Sequence, residues 1–133
     1  MLTQLVALFA AFLLAANAIF QVALAAGVRW GAAAYGGKVA RDDGSLPTRY
    51  RMMSLVSAAF MGLLFLVILS AGGVGGAGLL SAEFVTWACR GATVLFVLNT
   101  AGNLSSVSKI ERWVMGSTTA CLAAAFALMG WVF

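Results

Sequence analysis

The chain has 133 residues, of which 63% are apolar and only 9% charged, with no histidine and a single proline. That composition lies far outside the range of a soluble domain and reads as an integral membrane protein. Histidine-ligated haem is excluded, and the formal charge of +4 has to be placed relative to a bilayer before it can be taken as a nucleic-acid signal.

A hydrocarbon core about 30 Å thick needs roughly 20 apolar residues of helix to cross it, and four such runs occur. The expectation is an all-α bundle of four transmembrane helices forming one domain over residues 1–133, with helices at about 5–26, 47–71, 79–103 and 113–133. Runs such as "GLLFLVILS" do not alternate, which argues against a barrel. Helix 1 lacks a positive leader and is read as a retained span. It offers Ala7, Ala11 and Ala15 at four-residue spacing, and helix 2 offers Ser54, Ala58 and Gly62; laying these small-residue stripes together gives an antiparallel hairpin.

The loop 27–46 is the only polar segment long enough to have a shape of its own. In it Trp30 and Tyr35 are expected at headgroup level, "RDDGS" reads as a turn, and Pro47 suits the first turn of helix 2. The glycine-rich "AGGVGGAG", residues 71–78, lacks the lysine and strand of a phosphate loop and reads as a turn. Ser81 then caps helix 3, with Glu83 in the first turn, where the helix dipole favours an acid. Cys89 and Cys121 fall within spans without metal-ligand spacing, so they are expected as buried thiols, with no metal site and no cofactor.

Seven of the eight basic residues sit in the two loops on one side: Arg29, Lys38, Arg41, Arg49 and Arg51 around the first, Lys109 and Arg112 in the last. The other side carries none. The positive-inside bias therefore puts these loops in the cytoplasm and both termini outside, N-out and C-out, and topology accounts for the basic charge without nucleic acid.

The eighth, Arg90, stands inside helix 3 near mid-membrane, where a charge costs about 2.5–3.5 kcal/mol on insertion scales and calls for a partner. Helical side chains lean toward the N-terminus, so it is expected to lie over Trp87 and reach toward Glu83. The competing reading has Arg90 lining a hydrated cavity and holding an anionic group. Asn17 and Gln21 on helix 1 lie at the same depth as Asn99 and Asn103 on helix 3. Interhelical hydrogen bonds among these four are expected, with a polar ligand site as the alternative. Ser117, Thr118 and Thr119 can bond the carbonyls of their own helix. No nucleophile or acid–base pair stands at a recognisable spacing, so an enzyme is not expected.

The segments "GVRWG", "YGG", "LPTRYR" and "NTAGNLSSVSKIERWVMG", the last carrying Asn99, Asn103, Ser108, Glu111 and Arg112, resemble a group of small four-helix bacterial membrane proteins with no assigned activity. The resemblance implies the fold and a multi-pass place in the bacterial inner membrane, but no reaction. Small multidrug exporters carry a glutamate in helix 1, which is absent here, and four-helix fluoride channels insert in both directions, which this lopsided charge opposes. The expected role is an accessory or assembly subunit meeting lipid and a membrane-protein partner or further copies of itself; the alternative is a small oligomeric transporter or channel binding an anionic group at Arg90.

Overall fold

The computed structural model describes residues 1–75 and 80–133. Its main elements are helices α1 (Leu2–Ala26), α2 (Thr48–Ala71), α3 (Ala82–Leu104) and α4 (Glu111–Val132), and no strand occurs among the described residues. At 1.5 Å per residue the shortest measures about 33 Å, enough to cross a hydrocarbon core. All four are apolar enough to span. The first and last turns of α4, Glu111–Met115 and Leu128–Val132, are widened to π geometry. α3 starts where Ser81 accepts a hydrogen bond from the Phe84 N–H at 3.3 Å, the expected cap. α4 starts before the expected residue 113 because Ser108 Oγ accepts from the Glu111 N–H at 3.3 Å. The expected start of helix 3 at Leu79, and Gly76 to Gly78 of the glycine-rich turn, lie outside the described residues.

Two antiparallel hairpins, α1–α2 and α3–α4, make the bundle. Gly72, at the end of α2, faces Ala7 near the start of α1 so closely that an added Cβ would collide with the Ala7 methyl. Ser70, Leu80 and Phe133 share one groove, and Leu5 and Leu128 another. The termini, the end of α2 and the start of α3 therefore lie at one end, and the two charged loops at the other. Between the hairpins the core is built on Leu14, Ile68, Cys89 and Leu122 around stacked Phe96 and Phe126, with ring centroids 5.6 Å apart. Cys121, expected to be buried, is exposed.

The small-residue stripes are only half used. Ala7 and Ala11 are buried and Ser54 is fully so, but Gly62 faces outward with open space around it. The inner line of α2 runs through Ser54, Met61, Leu64, Val67 and Ile68 instead.

No helix carries a basic residue in its own last turn, except for the short π turn at Arg112. Three arginines supply that charge from a neighbouring helix. Arg51 Nε donates to the Ala25 carbonyl at the end of α1 at 2.9 Å. Arg112 Nε and Nη2 donate to the Ser106 carbonyl just past α3, at 3.1 and 2.7 Å. Arg90 Nε donates to the Gly130 carbonyl in the last turn of α4 at 2.9 Å. The final carbonyls of a helix have no partner within it and carry the negative end of its dipole, so each contact satisfies an orphan acceptor and joins two helices.

The first loop folds back over the bundle. Short 3-10 turns at Gly31–Ala33 and Tyr35–Gly37 bring Ala34 and Leu46 against Leu24 in a small second core, with Phe20 and Tyr50 beside it. The "RDDGS" turn forms as expected: the Gly44 N–H meets the Arg41 carbonyl at 2.9 Å, and Asp43 Oδ1 accepts from the Ser45 N–H and hydroxyl. Those bonds from Ser45 hold the Asp43 carboxyl below its ordinary pKa. Trp30 remains exposed, stacked on Phe20, whereas Tyr35 turns inward against Ser54 and Tyr50.

Candidate polar site within the bundle

Arg90 is placed by its own chain. Its guanidinium carbon lies 5.1 Å from the Trp87 ring centroid and 5.5 Å from that of Trp131, between the two rings. The stack on Trp87 is the expected one. The charge, however, turns to Gly130 rather than to Glu83, which stays exposed in the first turn of α3. The physical reason is the end of α4: an unpaired carbonyl and an indole lie across the helix interface, closer than a carboxylate about 10 Å up the same helix. Gly130 permits this, since a Cβ there would stand 3.1 Å from Arg90 Cγ and 3.3 Å from its N. Among the described residues, Arg90 is not part of the lining of the polar cavity or of the grooves at Leu5, Ser70, Phe60 and Met52.

The other four polar candidates do come together, around a cavity of about 240 Å³ at the charged-loop end. α1 contributes Asn17, Phe20 and Gln21; α2 contributes Ser57 and Met61; α3 contributes Asn99 and Asn103; α4 contributes Glu111, Met115 and Thr119. On each helix the lining residues repeat at three or four positions, the spacing that keeps them on one face. Ala33, Ala34 and Tyr35 of the folded loop close the end.

The expected amide-to-amide bonds between α1 and α3 do not form. Asn103 Nδ2 donates instead to Thr119 Oγ1 at 3.3 Å, and Thr100 Oγ1 donates to the same oxygen at 2.9 Å. Thr119 also bonds its own helix at Met115, while Ser117 and Thr118 bond Trp113 and Val114, as expected. Gln21 Oε1 is buried and has no hydrogen-bond partner among the described residues. The cavity separates the two helices, so the amides face a shared space and not one another.

Glu111 is the site residue that composition and spacing alone did not single out. It is buried at 8% exposure, and its Oε2 accepts from the Gly36 N–H at 3.0 Å and from the Ser106 hydroxyl. Gly36 has φ of +81°, a left-handed conformation that glycine adopts freely. Tyr35 has φ of +51°, uncommon for a bulky residue. Its hydroxyl lies 2.9 Å from Ser54 Oγ and its ring 5.0 Å from that of Tyr50. The signal for Glu111 was the spacing Ser108-x-x-Glu111, the pattern of a helix start; here the serine caps the helix and the glutamate reaches the other loop.

The lining carries donors and acceptors, since Asn17, Gln21, Asn99 and Asn103 each bring an amide NH2 and a carbonyl. Glu111 is its one ionisable acid, and neighbouring Arg112 is turned away to the Ser106 carbonyl. The arrangement can hydrogen-bond a small polar group through both donors and acceptors. The chain matches no protein-family model, no curated protein and no solved structure.

Proposed function

We propose that the protein is a non-enzymatic, multi-pass membrane protein of the bacterial inner membrane, working as an accessory or assembly subunit with its charged loops in the cytoplasm and both termini outside. The observation that carries this reading is the placement of Arg90 at the α3–α4 interface. Its Nε is bonded to Gly130 and its guanidinium carbon lies over the rings of Trp87 and Trp131, so the charge serves to join α3 to α4. This weakens the transport reading, which needs Arg90 open to an anionic solute. With one loop folded onto the bundle and the other only a few residues long, most of the surface open to a partner is the membrane-facing one.

The test is extraction of the tagged full-length chain from its native membrane in mild detergent, followed by mass spectrometry of what elutes with it. A defined protein partner in fixed ratio is the expected result. A chain that elutes alone, and that restores anion flux to reconstituted vesicles through Arg90, would replace this reading with the transport one.

A further inference from the structure

Polar side chains are carried deep into this bundle. From Asn17 to the end of α1 at Ala26 is about 14 Å by helix rise, close to half of a hydrocarbon core about 30 Å thick. Amides at that depth are costly unless something meets them. Within the protein little does: among the described residues only Asn103 of the four makes a side-chain hydrogen bond, to Thr119 Oγ1 at 3.3 Å, and Gln21 Oε1 is buried without a partner. Asn17 and Gln21 stand one turn apart on α1, and Asn99 and Asn103 one turn apart on α3, so both pairs face the same space.

That space is too large for a lone water. Its volume of about 240 Å³ is many times the roughly 10–15 Å³ that one water needs, and lies just under the roughly 300 Å³ at which pockets for drug-sized ligands begin. A small solute fits. Asn99 remains exposed while lining the cavity, so the site is not sealed.

Charge and hydrogen bonding narrow the class. Among the described residues no lysine or arginine lines the cavity, so an anion finds no counter-charge. Glu111 is the one group that would attract a cation, and its carboxylate already accepts from the Gly36 N–H and the Ser106 hydroxyl. The four amides, by contrast, present donors and acceptors in equal number. A hydroxyl matches them because it both donates and accepts. Two hydroxyls on adjacent carbons span the nitrogen and oxygen of one amide, and a chain of them engages several amides at once. Its C–H faces then meet Phe20, Met61 and Met115 on the remaining walls.

We propose that this cavity binds a short, uncharged polyol, with Asn17, Gln21, Asn99 and Asn103 reading its hydroxyls and Gln21 Oε1 accepting from one of them. The site is independent of Arg90, and it stands whether or not the chain has a protein partner.

The test is saturation-transfer NMR of the full-length chain in detergent with erythritol and, separately, with 1,4-butanediol, which shares the carbon skeleton but lacks the inner hydroxyls. Erythritol should give a saturable signal, and 1,4-butanediol should bind about tenfold more weakly, the equivalent of one hydrogen bond of ordinary strength. Gln21→Leu and Asn17→Leu should each weaken erythritol binding by a similar factor. Both put an apolar group into a membrane helix, and an unchanged thermal midpoint shows the fold intact. The comparison of the two probes needs no variant, so it decides even where a substitution unfolds the chain. The absence of a saturable erythritol signal, which means a cavity filled by water alone, overturns the proposal. So does equal binding of the two probes, or binding indifferent to both substitutions. Tighter binding of ethylammonium than of erythritol overturns it as well, and makes this a site for a cation held by Glu111.

Discussion

Glu111 and Arg90 both bring charge into the bundle, and they do opposite things. Glu111 gathers donors from two loops. Replacing it with leucine leaves the Gly36 N–H and the Ser106 hydroxyl without their acceptor, and the cost is about 1–3 kcal/mol. We expect Glu111→Leu to lower the thermal midpoint in detergent and to raise proteolytic cutting within residues 27–46, whereas Glu111→Gln, which keeps a carbonyl oxygen in place, should lose less; equal cutting in all three chains would mean that Glu111 does not hold the loop. Arg90 satisfies an acceptor and fills the space between two indoles. A lysine there can still donate to Gly130 but has no planar group to stack on Trp87 and Trp131, so Arg90→Lys should cost about 1–2 kcal/mol, read as a lower midpoint. An unchanged midpoint would show the stacked geometry to be of no consequence.

At the scale of the helix, existence was legible in the residues and orientation was not. Four spans follow from apolar run length alone, because nothing else of that composition can cross a bilayer. Which face of each helix meets protein is a different matter: lipid and core are both apolar, so α2 shows almost no sidedness, and Gly62 was paired with α1 when it faces outward. Asn17, Gln21, Asn99 and Asn103 were legible as site residues because amides stand out in an apolar helix. The lid over them was not, since Tyr35 reaches Ser54 and Gly36 reaches Glu111 across contacts far apart in the chain. Close packing gives the matching test. Gly130→Val would drive a branched side chain into Arg90 and Cys89 and should cost about 1–3 kcal/mol, while Gly62→Leu, in open space, should change stability by no more than about 0.5 kcal/mol. Thermal unfolding of the two variants separates the faces, and a larger loss at Gly62 would reverse the assignment of α2.

Across the whole molecule the eight basic residues divide by task. Arg51, Arg90 and Arg112 each donate to a carbonyl at or just past the end of a neighbouring helix. Arg29, Lys38, Arg41, Arg49 and Lys109 are exposed at the two-loop end. Only the exposed set is free to act as a topological signal, because charge near the ends of spans biases which side a loop remains on. The two sets should therefore fail differently. Changing Arg29, Lys38, Arg41 and Arg49 together to glutamine should leave the detergent midpoint nearly unchanged, yet send a fraction of the chains into the membrane with the first loop outside. Arg51→Gln alone should keep the orientation and lower the midpoint, since the Ala25 carbonyl loses its donor. Labelling of a cysteine placed at exposed Ala32 by a membrane-impermeant reagent, in chains with both native cysteines replaced by alanine, reads the orientation. If the fourfold change leaves that cysteine as protected as before, the exposed charges do not set the topology, and the arginines that cap the helices carry that role as well.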